Sequence, residues 1–148
     1  MSRILVGVDG SESALRAVDY AAKLAVGTNA DLILLSVSSL PFILDEELKA
    51  FAHAEHLYKD DLPRLLVDPR PPALEAARVR AAAMGAKRIE AIAVGGDPAS
   101  EIISAAGKSG ADLIVVGRRG MGSLSRLIFG SVAQKIVQLT DQPVTVVP

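Results

Sequence analysis

Five short apolar runs separated by helix-length stretches constrain this chain more than any other feature. Residues 3–8 (RILVGV), 31–37 (DLILLSV) and 111–117 (ADLIVVG) are almost continuously apolar. Strands read this way when both faces of a parallel sheet are covered. Residues 89–94 (IEAIAV) are interrupted by Glu90, and Val144–Val147 lies between Pro143 and Pro148. Polar contrast and flanking prolines place these two runs nearer the sheet edges.

The stretches between the runs carry helix signals. Ser11 is placed to cap a first helix, with Glu12 in its first turn and Leu15, Val18, Ala22 and Ala25 on its apolar face. Gly27 is its expected stop. A second helix is expected over residues 73–84, with Leu74, Ala77, Val79 and Ala81 to Ala83 as its small-residue face and Gly85 ending it. Asp97-Pro98 supplies a capping carboxylate before a proline at the first helical position, followed by Ile102, Ile103 and Ala106 on one side. A last helix is expected over Ser131–Leu139, where Ser131 and Gln134 have capping-box spacing. Alternating strands and helices predict an α/β fold: a doubly wound, five-stranded parallel sheet, Rossmann-like, with helices on both faces. At 148 residues the chain fits one domain, residues 1–148. Residues 38–72 carry five prolines around an amphipathic helix expected at about residues 45–60, and read as an elaborated crossover.

Composition removes several functional classes. Sixteen basic and 17 acidic residues give a net charge of -1, and aromatics make up 3% of the chain, which argues against nucleic acid as a partner. The absence of cysteine rules out thiol chemistry and suits a reducing compartment. No apolar run approaches the ~20 residues of a membrane span, and the opening MSRILVGVDG lacks a cleavage-site pattern. A cytoplasmic protein with no membrane contact is expected. His53 and His56 stand at helical spacing near Asp60 and read as a solvated helix face, so no metal site is expected. Neither a GxxxxGK[ST] loop nor a set of catalytic residues is present.

The chemistry is concentrated after the fourth strand. Gly117-Arg118-Arg119-Gly120 is followed by nine residues and then Gly130-Ser131 at a helix start. Glycines let main-chain N–H groups approach an anion, and the helix N-terminus adds unpaired N–H groups and about half a positive charge. Arg118, Arg119 and Arg126 add charge to the same loop. Taken singly, these glycines also read as turns and Ser131 as an ordinary cap; taken together, they favour phosphate binding. Asp9, at the end of the first strand, reads equally as the closure of an Asp-Gly turn and as an acceptor for an amino or sugar hydroxyl group.

This segment resembles the Gly-two-residues-Gly-nine-residues-Gly-Ser/Thr signature of ATP-binding universal stress proteins, and the spacing match is complete. The similarity extends through ILVGVDGSESALRAVDYA, the Gly96-Asp97-Pro98 helix start and the closing Pro-Val-Thr-Val-Val; residues 38–88 are only loosely similar. The resemblance implies a fold of the adenine nucleotide alpha hydrolase type, with ATP or AMP in the crevice and magnesium or manganese held through the phosphates. Carried onto this chain, it puts Val8, Asp9, Gly10 and Ser11 beside base and ribose, with Val37 against adenine. Val116, Gly117, Arg119, Gly120, Met121 and Gly122 would surround ribose and phosphates, and Gly130, Ser131 and Val132 would complete the cradle. It further implies a homodimer paired through Val144–Val147. The expected role is a stress-response regulatory module that binds an adenine nucleotide. The alternatives are a slow ATPase or phosphotransferase and a nucleotide-free interaction protein.

Overall fold

The computed structural model describes residues 1–38, 68–120 and 129–148. The expected helix at residues 45–60, with His53 and His56, lies outside the described residues, as do Met121, Gly122 and Arg126. In chain order the elements are β1 (Arg3–Gly7), α1 (Glu12–Thr28), β2 (Asp31–Ser38), α2 (Pro72–Ala83), β3 (Ile89–Gly95), α3 (Pro98–Ser109), β4 (Leu113–Gly117), α4 (Ser131–Leu139) and β5 (Val144–Val147). All strand pairs are parallel and the order is β3-β2-β1-β4-β5, so the runs at 89–94 and 144–147 do form the edges. Among the described residues no helix is long and apolar enough to cross a membrane.

Side-chain alternation along β1 divides the core into two layers. Ile4 and Val6 pack with Ala17, Val18, Ala21 and Leu74 of α1 and α2 on one face. Leu5 packs with Ile102, Ala106 and Ile136 of α3 and α4 on the other. Alanines recurring on α1 let its backbone lie close to the sheet, and this closeness later fixes the identity of Gly117. The Arg80 guanidinium forks onto the two oxygens of Asp19 at 2.5 and 2.6 Å, tying α2 to α1.

One sequence-based helix end and one expected helix face differ in the structure. Helix α1 passes through Gly27 and stops at Asn29, whose φ of 56° makes it the left-handed C-cap with its N–H on the Ala25 carbonyl. Asparagine tolerates that conformation, and the turn of chain into β2 selects it over the glycine two residues earlier. On α2 the buried residues are Leu74, Ala77 and Ala81, whereas Val79 is 54% exposed. Positions 74, 77 and 81 share a helical stripe that position 79 does not.

At the amino end of β1, Asp112 holds the neighbouring strand. Its Oδ2 accepts from the N–H of Arg3 (2.8 Å), the N–H of Ser2 (2.6 Å) and the hydroxyl of Ser2 (2.9 Å). These donors, led by the Arg3 amide, lower its pKa from 3.8 to about 2. A carboxyl depressed in the fold contributes stability above its ordinary pKa and loses that contribution as pH falls through the folded value. Asp112→Asn should therefore flatten the decline of stability between pH 3.8 and about 2. Urea melts across that window check this, and a slope equal to wild type would remove Asp112 from the acid response.

Candidate functional site

Helix α1 leaves β1 toward one face of the sheet, while the chain leaving β4 returns as α4 on the other. The carboxyl ends of these adjacent strands therefore fork, which is where doubly wound sheets leave room for ligands. A cavity of about 400 Å³ opens there, lined by the ends of β1, β2 and β4 and the starts of α1, α3 and α4.

The β1 side presents Val8, Asp9 and Ser11, with Val37 reaching the cavity from β2. Asp9 Oδ1 accepts the Ser11 N–H at 2.9 Å, so this carboxylate does close its turn, while Gly10 supplies the left-handed φ of 82°. Gly10 does not line the cavity itself. Ser11 caps α1 by accepting from the Ala14 N–H at 3.2 Å.

From β4 come Val116, Gly117, Arg118, Arg119 and Gly120. A Cβ on Gly117 would sit 2.7 Å from the carbonyl carbon of Ser13 and 2.8 Å from the amide nitrogen of Ala14. On Gly120 it would meet Asp9 Oδ2 at 2.8 Å, and on Gly130 the Arg118 carbonyl oxygen at 2.8 Å. Gly117 and Gly130 are thus required by the approach of the protein's own backbone, which builds the crevice wall, whereas Gly120 meets only the end of the Asp9 side chain. The expectation that Gly130 frees its own amide is corrected, because that N–H donates to the Arg118 carbonyl at 2.7 Å.

The start of α4 departs from the capping-box reading. Gly130 is the N-cap residue, with φ -62° and ψ 144°, and no side chain among the described residues caps the helix; Ser131 is its first helical residue. The Gly130–Arg118 bond fixes the entry one residue earlier than the serine spacing suggested. Helices α1 and α3, by contrast, are capped by Ser11 and Asp97. In α4 the Gln134 N–H is the first to find its carbonyl, that of Gly130 at 3.0 Å. The amides of Ser131, Val132 and Ala133 are left without a backbone partner among the described residues, and all three residues line the cavity.

Charge in the crevice is predominantly positive. The Nε atoms of Arg118 and Arg119 are buried with no hydrogen-bond partner among the described residues. The α4 dipole points its positive end the same way, and Asp9 is the one carboxylate lining the cavity among the described residues. Beside α3, the Asp97 carboxyl is held below its ordinary pKa by the Ser100 N–H and then the Ser100 hydroxyl, with Lys135 3.7 Å away. This acid is committed to its cap.

Several lining residues escaped sequence reading, among them Gly7, Leu35, Pro98 and Ile102. A Cβ on Gly7 would come within 3.0 Å of Ile102 Cδ1, so that glycine admits α3 to the crevice floor. Its signal, a glycine inside an apolar run, was present but was absorbed into the strand. Ser13 was missed as well: it is 3% exposed, and its hydroxyl donates to the Arg119 carbonyl.

Comparison with known proteins gives a consistent result. The sequence pattern described as "Universal stress protein family" matches residues 1–148. The universal stress protein YxiE of Bacillus subtilis is 33% identical over 146 residues, spanning 99% of this chain and 98% of that protein. The universal stress protein Rv1636 of Mycobacterium tuberculosis is 34% identical over 145 residues, spanning 97% and 94%. Among solved structures, a universal stress protein in complex with cAMP superposes with a TM-score of 0.68 at 30% identity, covering 99% of this chain and 95% of that one. With a family pattern running its whole length and relatives of this identity on either side, this chain belongs to the universal stress protein family.

Proposed function

We propose that the crevice binds an adenine nucleotide, ATP or AMP, and that occupancy, with hydrolysis slow or incidental, is the output of a stress-response regulatory module. The observation that carries this reading is the start of α4, where three amides without a backbone partner among the described residues belong to residues that line one cavity together with Arg118 and Arg119. A phosphate supplies the acceptors those donors lack. The cavity volume falls within the range of small-molecule sites, about 300–1,000 Å³. Further support comes from the 30%-identical relative solved with cAMP, since this chain presents a comparable fold over nearly its full length.

In this reading the base and ribose lie by Val8, Asp9, Gly10, Ser11 and Val37. Phosphates lie by the loop from Val116 through Arg119 and Gly120 to Met121 and Gly122, and by Gly130, Ser131 and Val132. Magnesium or manganese would be held through phosphate oxygens, as is usual for these ions. A second copy of the chain is the proposed partner along β5, a short apolar strand at the sheet edge whose four residues are only half-buried.

Titration calorimetry with AMP and ATP, alongside mass analysis of nucleotide released on denaturation, tests the proposal. Saturable heat with a dissociation constant of about micromolar order is expected. No heat with either compound, together with no released nucleotide, would overturn it. ATP turnover far above a trace level would move the reading to the enzyme alternative.

A further inference from the structure

Two stretches of the crevice wall lie more than a hundred residues apart in the chain, and among the described residues the shortest side-chain link between them is made by Ser13. The first piece, the turn after β1, is held by its own bonds: Asp9 Oδ1 to the Ser11 N–H, Ser11 Oγ to the Ala14 N–H, and the Val8 N–H to the Leu35 carbonyl at 2.8 Å. The second piece, residues 117–120, has fewer internal supports. Its Arg118 N–H reaches the Val147 carbonyl and its Arg118 carbonyl receives the Gly130 N–H, each at 2.7 Å. Arg119, one residue further, is fixed on both sides by Ser13. The Ser13 hydroxyl donates to the Arg119 carbonyl, and the Arg119 N–H points back at the same oxygen from 3.4 Å.

Resting on the nucleotide-binding reading above, we propose that Ser13 is a positioning residue for the phosphate half of the site. It does not line the cavity. Its 3% exposure places the bond out of water, where losing this donor leaves the Arg119 carbonyl with only a long contact from Ser11 among the described residues. The second serine of this turn substitutes poorly, because the Ser11 hydroxyl donates to that carbonyl only from 3.4 Å and its oxygen is held in place by accepting the Ala14 N–H as the α1 cap. Removing the Ser13 hydroxyl therefore releases the loop that carries Arg119 and Gly120, while the turn that would meet base and ribose keeps every bond of its own.

The test compares AMP with adenosine, which lacks the phosphate, on wild type and Ser13→Ala, with amide hydrogen exchange read over residues 118–120. AMP affinity should fall roughly tenfold, adenosine affinity should stay within about twofold, and exchange in the loop should quicken. Equal losses for both ligands would show general loosening and overturn the assignment, as would an unchanged AMP affinity. Should wild type bind neither ligand, the nucleotide reading fails; the exchange measurement still decides whether Ser13 holds the loop, and unchanged protection removes it from that role.

Discussion

Gly117→Ala should lower the free energy of unfolding by about 2–3 kcal/mol, although it adds only one methyl group. That methyl would lie 2.7 Å from the Ser13 carbonyl carbon and 2.8 Å from the Ala14 nitrogen. Both are backbone atoms in the first turn of α1, so no rotamer change relieves the overlap. The helix would have to move, and its buried face of Ala17, Val18, Ala21, Ala22 and Ala25 would move with it. Gly107→Ala is the matching control, because nothing lies within 4 Å of a Cβ there. In helix α3 this change should raise stability by about 0.5–1 kcal/mol through backbone entropy. Denaturant melts of the two variants should fall on opposite sides of wild type, and a Gly117→Ala variant as stable as wild type would show that α1 does not rest on the end of β4 as described.

Gly130→Val should weaken AMP binding on the order of a hundredfold, the equivalent of losing one or two hydrogen bonds to a charged group. Its Cβ would stand 2.8 Å from the Arg118 carbonyl oxygen and 3.2 Å from the Arg119 Cα. Relief requires α4 to withdraw from the loop, carrying the amides of Ser131, Val132 and Ala133 out of reach of a shared phosphate. Gly27→Val, at the far end of α1 with open space around it, should bind AMP as wild type does. Calorimetry on the three proteins makes the comparison, and an affinity for Gly130→Val within about threefold of wild type would remove the helix start from the phosphate site.

The sheet was largely legible in the sequence because burial on two faces leaves an unmistakable trace. Residues 31–37 and 111–117 have no polar face to confuse the reading, and Glu90 with the prolines around Val144–Val147 marked the edges that the strand order bears out. Helix ends were less legible. Gly27 and the Ser131–Gln134 pair carry ordinary local signals, but each was overridden by a longer-range demand: the entry into β2 in one case and the Gly130–Arg118 bond in the other. In the site, the glycine spacing was visible, but the physical reason for each glycine was not. Steric closeness between residues 13 and 117, or between 118 and 130, exists only after the sheet has formed. Ser13 was invisible for the same reason, since a serine in the first turn of a helix needs no partner a hundred residues away to explain it.

The register of β1 against β4, in which Ile4 stands beside Leu113, has a consequence for the order of events during synthesis. The central strand is translated well before β4, one of its two neighbours, and before the loop and helix start that line the crevice. A nascent chain ending after β3 lacks the loop, both arginines and the start of α4, the donors on which the proposed phosphate site rests. A ligand of the proposed site would therefore stabilise only chains in which β4 and α4 have already joined the sheet.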